Sequence, residues 1–220
     1  MRVAKKRDVR LNQILDAAQA LFGSKGYEQA TINDILEAVE IGKGTFYHYF
    51  QSKQDVMEAV VARIVNRMAE QARLIADDAT LDAHSKIGHI IAAVNLVALN
   101  GLDEGETIID ELHKPANAQF HEKSITETVK AISPIMADAV QQGIAEGVYQ
   151  TPYPLETVQF LLVGSQNLLD RGIFDWGPAE LAKQAAAIMR ITELSLGAAE
   201  GSFAFLLERL AGNNQPDKSM

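Results

Sequence analysis

The residues best suited to do chemistry in this chain lie in one short stretch, residues 43–50, with the sequence KGTFYHYF. A helix turns by about 100° per residue, so Phe46, Tyr49 and Phe50 lie towards one face and can pack onto neighbouring helices. The opposite face presents a missing side chain, a hydroxyl, a phenol and an imidazole, from Gly44, Thr45, Tyr47 and His48. Such polar groups can hydrogen-bond phosphates or base edges, and a glycine lets the backbone approach a groove closely.

The alternative interpretation is that Tyr47 and His48 are ordinary surface residues of a small helical bundle. Packing gives no reason for an exposed glycine on a short helix, however, because Gly44 costs the helix about 0.5–1 kcal/mol relative to alanine. Lys43 adds a cation at the start of the same helix, where backbone N–H groups already favour an anion. These features favour contact with nucleic acid over a purely structural role.

Charge is divided unevenly along the chain. The 220 residues carry a net charge of −9, yet residues 1–55 hold eight Lys or Arg against seven Asp or Glu, and the rest hold 12 against 22. Five of those eight basic residues lie within the first ten positions, beside a single acidic residue, Asp8. A basic arm on an acidic body lets this end alone approach phosphates, although a solubilising tail is the alternative.

Composition excludes several other classes of site. The chain contains no cysteine, which excludes disulfides, thiolate metal sites and cysteine nucleophiles. The longest apolar run, residues 87–99, is shorter than the roughly 20 residues of a membrane span, and the basic N-terminus lacks the apolar stretch of a signal peptide. We therefore expect a cytoplasmic protein without a membrane partner. An enzyme or metal-binding helical protein is the alternative class, but no Ser/His/Asp order, phosphate loop or His-Glu-x-x-His motif supports it.

Helical periodicity runs through nearly the whole chain and predicts an all-α protein. A first helix is expected over about residues 9–23, and Thr31, with Asp34 three residues on, forms a capping box for a second. Residues 43–50 form the third helix after a tight turn. Three short helices in this order have the layout of a helix-turn-helix.

The helix-turn-helix is expected to form a DNA-binding domain over residues 1–52. Ser52 caps a long fourth helix, which begins a larger helical domain over residues 53–211, and residues 212–220 are expected to form a disordered tail. The later helices of the larger domain are expected over about residues 82–100, 104–114, 121–146, 155–170 and 178–196.

Residues 31–61 closely resemble the DNA-binding signature of TetR-type transcriptional regulators, and the match is most specific over about residues 10–60. It consists of a capped second helix, a turn, Lys-Gly-Thr followed by aromatic residues, and Ser-Lys opening the fourth helix. The resemblance implies phosphate contacts from Thr31, Lys43, Tyr47 and Lys53. It implies base or groove contacts from Gly44, Thr45 and His48, with Tyr49 touching the DNA backbone.

The turn departs from the family pattern at two positions. Glu40 stands where the family usually has glycine, and Gly42 stands where it usually has serine. If Glu40 takes a left-handed backbone conformation, it is mildly strained, because only glycine adopts that conformation without cost. Gly42 is a weaker helix cap than serine by only a few tenths of a kcal/mol. Neither change removes a DNA contact.

The resemblance also implies a dimeric regulator, most often a repressor, which leaves a palindromic double-stranded DNA operator when a small-molecule effector binds. The dimer is expected to form through the helices over residues 155–170 and 178–196, and no cofactor is expected. The faces expected to meet the partner are Leu161, Ser165 and Leu168 on the first helix, and Ala182, Ala185, Met189 and Leu196 on the second. The alternative is that these faces complete the core of a single chain.

Polar residues inside apolar helices are the candidates for the effector pocket. Asn95, Gln166 and Asn167 interrupt apolar runs, and a buried amide needs a hydrogen-bond partner. That partner is either a ligand, another core group or a group across an interface. A metal site is a further alternative, since Glu106, Asp110 and His113 share one helix face and His121 is close in sequence. The solvated side of an amphipathic helix explains that cluster better, and no metal is expected.

Overall fold

A computed structural model of the chain describes residues 2–99, 108–170 and 173–206, apart from the side chains of residues 2–6, 95–99 and 109. Within these ranges the secondary structure is helical and contains no strand, which confirms the all-α prediction. The helices are α1 Arg2–Lys25, α2 Ile32–Val39, α3 Lys43–Tyr47, α4 Lys53–Ala76, α5 Ala83–Leu99, α6 Ile108–Leu112, α7 Ala118–Ala145, α8 Pro154–Leu168 and α9 Pro178–Leu196. Among the described helices, none combines the length and the apolar character that a membrane span requires.

The chain packs into two compact units. Of the residues that the structure describes, the first unit contains those up to Arg67 and those from Leu96 to Glu127, and the second contains the remainder. Helices α4, α5 and α7 each contribute residues to both units. The boundary predicted at residue 52 separates the DNA-binding part of the chain from the rest by function and not by packing, and it stays a prediction. The expected tail, residues 212–220, lies outside the described residues.

The core of the first unit is built from apolar side chains that recur at helical spacing. On α1, Ile14, Ala18 and Phe22 are fully buried, and Phe46 from α3 and Val56 from α4 are buried with them. Burial of such side chains is the main force that holds these helices together, and the short α2 and α3 depend on it most because short helices are unstable in isolation.

The start of α2 follows the sequence prediction closely. The Thr31 hydroxyl accepts a hydrogen bond from the Asp34 N–H at 3.1 Å, and the Asp34 carboxylate accepts one from the Thr31 N–H at 2.7 Å. This confirms the capping box. A hydrogen bond from Lys25 and the bonds from Thr31 together lower the pKa of the half-buried Asp34 carboxyl to about 2.

Several helix ends differ from those expected. Helix α3 ends at Tyr47 because the Phe46 carbonyl accepts from both Tyr49 N–H and Phe50 N–H, which closes the chain into a turn. Helix α7 begins at Ala118 after a 3-10 turn over Pro115–Asn117 and continues through Pro134. Of the helix predicted over residues 104–114, the structure describes only α6, since residues 100–107 are outside it.

In the second unit, α8 and α9 pack against each other. Gly197 ends α9 in a left-handed conformation, with φ 66°, as a glycine stop predicts. The rings of His84, Tyr149 and Phe203 form an aromatic cluster, with centroid distances of 4.9 to 6.2 Å.

Candidate nucleic-acid interface

The turn between α2 and α3 depends on a strained residue. Glu40 has φ 53° and ψ 50°, the left-handed conformation, and it is the one non-glycine residue with positive φ in the part of the chain that the structure describes. Its N–H caps α2 by donating to the carbonyls of Glu37 and Leu36. The suspected left-handed conformation is therefore confirmed, and it costs about 1–2 kcal/mol relative to a right-handed residue.

Gly42 begins α3 as its N-cap, with an extended backbone and no side-chain capping bond. Its carbonyl accepts from the N–H groups of Thr45 and Phe46 at 3.0 and 3.2 Å. A Cβ at Gly42 would meet nothing within 4 Å, so a serine fits there without strain. The missing cap is therefore a weakness of the helix start rather than a requirement of the turn.

The burial of α3 and the following turn matches the predicted facing of this segment. Phe46 is 0% exposed and Phe50 is buried, and both rings face the core of the first unit. The outward residues are exposed, and these are Lys43, Gly44, Thr45, Tyr47 and His48. Tyr49 is half-buried, with its ring edge-on to His48 at 5.4 Å.

Gly44 has no structural reason to be glycine. A Cβ placed there would meet nothing within 4 Å, and Gly44 is absent from the positive-φ glycines. Neither crowding nor backbone conformation in the free chain explains why a helix of five residues should carry a glycine. Close approach of an external surface to the backbone would explain it.

Two of the predicted contact residues have their polar groups engaged within the chain. The Thr31 hydroxyl belongs to the capping box of α2. The Lys53 ammonium donates to three backbone carbonyls, those of Tyr27, Glu28 and Ala30, at 2.6, 3.2 and 3.0 Å. DNA contact by these two residues, as by the exposed ones, stays a prediction.

The turn between α1 and α2 contains contacts that the sequence did not reveal. Gly26 opens it with φ 87°, and the next N–H, that of Tyr27, donates to the Glu111 carboxylate from α6 at 2.7 Å. The Tyr27 ring lies edge-on to Phe22 and to Phe120, at centroid distances of 5.3 and 4.9 Å. The glycine was a usable signal for the turn, but nothing in the spacing links it to a residue more than 80 positions away.

Glu111 is 2% exposed, which is unusual for a carboxylate. Burial raises its pKa, but hydrogen bonds from Lys114, the Tyr27 N–H and Asn117 outweigh that effect, and the pKa is lowered. The side chain therefore stays ionised at neutral pH and fixes the turn against α6.

The predicted dimer helices expose apolar side chains, but not all of those expected. Phe160 and Leu194 are 73% and 64% exposed, and Val163 and Ile191 are exposed beside them in sequence. Leu196, which was expected on the outward face of α9, is 2% exposed within its own chain, and that expectation was wrong. A helix with apolar residues on two faces does not reveal by periodicity which face turns inward.

The three candidate pocket residues have different surroundings. The Gln166 side-chain oxygen is buried and has no hydrogen-bond partner among the described residues. The Asn167 amide donates to the Val163 carbonyl of its own helix at 2.9 Å. The side chain of Asn95 lies outside the described residues, as does Glu106 of the candidate metal cluster. Of that cluster, Asp110 is exposed, and the rings of His113 and His121 lie edge-on at 5.0 Å.

Two family models match this chain. Residues 14–60 match the model described as bacterial regulatory proteins, tetR family, and residues 103–191 match the Tetracyclin repressor-like, C-terminal domain. The first match includes the helix-turn-helix, and the second includes α6, α7 and α8.

Individual relatives agree with the family models. An uncharacterised HTH-type transcriptional regulator of Lactococcus lactis subsp. lactis is 31% identical over 143 residues, which are 56% of this chain and 70% of the relative. The HTH-type transcriptional repressor KstR2 of Mycolicibacterium smegmatis is 22% identical over 150 residues, 68% of this chain and 72% of the relative. The crystal structure of RolR in complex with the ligand resorcinol has a TM-score of 0.61 at 18% identity, covering 98% of this chain and 100% of RolR. This last likeness is one of fold.

Proposed function

Because the chain belongs to the TetR family and is a DNA-binding regulator of transcription, we propose that it is a repressor which a small molecule releases from its operator. In this proposal a homodimer binds a palindromic double-stranded operator, with one helix-turn-helix on each half-site. Its place of action is the cytoplasm, where the DNA is, and it has no enzymatic activity.

The observation that carries the proposal is the outward face of α3. Lys43, Gly44, Thr45, Tyr47 and His48 are all exposed, while Phe46 between them is fully buried. The buried Phe46 ring thus fixes α3 on one side, and the opposite side of α3 is small and polar, with open space around Gly44. A major groove of DNA admits a helix of this kind.

We assign roles on this face by position. His48 and Thr45 read base edges, and Gly44 lets the backbone come close. Lys43 and Tyr47 bind phosphates at the helix start and flank, and Tyr49 touches the sugar-phosphate backbone. Thr31 lies at the N-terminus of α2, where the helix dipole favours a phosphate. Lys53 differs from these residues, because its ammonium is engaged by carbonyl groups of the chain.

The exposed apolar residues of α8 and α9 support a homodimer through these helices. Phe160 and Leu194 each expose more than half of their surface, and exposed apolar groups in neighbouring positions favour an interface. Light scattering should give twice the chain mass of 24.0 kDa. Phe160→Glu should produce monomers, whereas Leu74→Glu, at a residue of α4 that is 67% exposed, should not. A monomeric wild-type chain at micromolar concentration contradicts the proposal.

Gln166 supports a ligand site in the second unit. A buried oxygen without a donor costs about 1–3 kcal/mol, and a ligand N–H or O–H would recover part of that energy. Asn95 and Asn167 also belong to the proposed site, with less structural support than Gln166. Resorcinol, named as the ligand of RolR, carries such O–H groups and is a suitable first probe. A ligand releases the operator only if it binds the DNA-free conformation more tightly.

A gel-shift experiment with the DNA that flanks the protein's own gene tests the function. We expect a sequence-specific shift that Lys43→Ala weakens and that Gln71→Ala, at an exposed position on α4, leaves unchanged. Equal binding to flanking and scrambled DNA would contradict the proposal and favour the enzyme or metal-binding alternative.

A further inference from the structure

Lys53, the first residue of α4, lies beneath the turn between α1 and α2. Its ammonium donates to the carbonyls of Tyr27, Glu28 and Ala30, and it also lies 4.3 Å from the centroid of the Tyr27 ring. A lysine ammonium has only three N–H donors. All three are therefore used inside the chain, in a half-buried position.

The three carbonyls belong to one turn, residues 27–30, between α1 and α2. Within the turn, the Ala30 N–H donates to the Gly26 carbonyl at 3.0 Å, but the carbonyls of residues 27, 28 and 30 point to the one ammonium. A phosphate could bind Lys53 only if at least one of these carbonyls lost its donor. The Glu28 bond is exposed and the longest of the three, but the Tyr27 and Ala30 carbonyls are partly buried and costly to leave without a donor, so the ammonium stays on the turn.

The turn leads directly into the DNA-binding helices. Thr31, the N-cap of α2, follows Ala30, whose side chain is 1% exposed. Glu111 also holds this turn, by accepting a hydrogen bond from the Tyr27 N–H. The position of α2, and through its tight turn that of α3, thus depends on how firmly residues 27–30 are held.

We propose that Lys53 is a positioning residue, which fixes the turn over residues 27–30 and so orients the helix-turn-helix, and that it does not bind a DNA phosphate. This inference rests on the proposed function for its DNA-binding consequence. It departs from the role that the family resemblance implies for this residue. The shape of the site supports it, because three converging carbonyls suit a compact ammonium rather than a planar guanidinium.

The experiment compares Lys53→Gln, Lys53→Arg and Lys43→Gln in the full chain, with the operator fragment identified by gel shift. Each phosphate contact contributes about 0.9 to the slope of log affinity against log salt, or twice that for a dimer on two half-sites. We expect Lys43→Gln to reduce the slope by this amount. Lys53→Gln should leave the slope unchanged and lower affinity about tenfold at every salt concentration, as expected for loss of a charged hydrogen bond.

Two further measurements keep the proposal testable if Lys53→Gln does not fold. Lys53→Arg keeps the charge, so a phosphate contact predicts affinity close to wild type, whereas the positioning role predicts a loss. Amide hydrogen exchange without DNA should be faster over residues 26–31 in both Lys53 variants and unchanged in Lys43→Gln.

A reduced salt slope in Lys53→Gln, with normal binding by Lys53→Arg and unchanged exchange, overturns the proposal. If the wild-type chain binds no operator at all, the proposed function fails. The exchange measurement still decides the role of Lys53 in that case, because it requires no DNA.

Discussion

Replacement of Glu40 by glycine should stabilise this protein, although glycine usually destabilises. Glu40 has φ 53° and ψ 50° at the C-terminal cap of α2. A side chain costs about 1–2 kcal/mol in this conformation, and glycine removes that cost. Glycine also gives the unfolded chain more freedom, which costs about 0.5–1 kcal/mol. The net gain in the free energy of unfolding is about 0.5–1 kcal/mol, or a rise of about 1–4 °C in Tm for a chain of this size.

The assay is thermal unfolding monitored by circular dichroism. DNA is left out, because removal of a negative charge also changes DNA binding. Glu37→Gly is the matched control, since Glu37 is exposed and lies one turn earlier, inside α2. There glycine gains nothing from the backbone conformation, and stability should fall by about 0.5–1 kcal/mol. The two variants should thus change Tm in opposite directions. A similar decrease in both would refute the reasoning from the backbone of Glu40.

Three further predictions concern the same unit. Phe46→Ala should lower the free energy of unfolding by about 3–5 kcal/mol in chemical denaturation, because the ring is fully buried. Asp34→Asn should remove an acid-induced loss of stability, because the pKa of Asp34 falls from 3.8 to about 2 on folding. The contribution of Asp34 to the free energy of unfolding is therefore complete above pH 3.8 and is lost as the pH falls through 2. Melting at a series of pH values measures this loss. His48→Ala and Thr45→Ala should alter the preference among operator variants by about 1–3 kcal/mol per lost base contact, whereas Lys43→Ala should weaken all variants about equally, as competition gel shifts can test.

Local features of the helix-turn-helix could be predicted from the sequence because they depend on neighbouring residues. The capping box of Thr31 and Asp34 spans three positions, and the facing of Phe46 follows from the helical period. The left-handed conformation of Glu40 could be suspected because the family that the sequence resembles usually has glycine at this position.

Long-range features could not be predicted in the same way. Lys53 and Glu111 both hold the turn at Tyr27, from 26 and 84 residues away, and such pairings depend on tertiary packing rather than on spacing. The family resemblance implied a phosphate contact for Lys53, and nothing in the spacing indicated its hydrogen bonds to the carbonyls of residues 27, 28 and 30. Likewise, Leu196 was expected to face outward, because periodicity identifies the faces of a helix but does not show which of them is covered.

The central claim, that the outward face of α3 lies against DNA, is tested most directly by the operator affinity of Gly44→Ala. In the free chain the added methyl group meets nothing within 4 Å. Alanine should therefore stabilise the helix by about 0.5–1 kcal/mol, and melting without DNA should confirm that the variant is folded. The account predicts a more stable protein that binds its operator at least about tenfold more weakly, because the methyl group holds the backbone away from the groove. Unchanged operator affinity in a folded Gly44→Ala variant would contradict the claim.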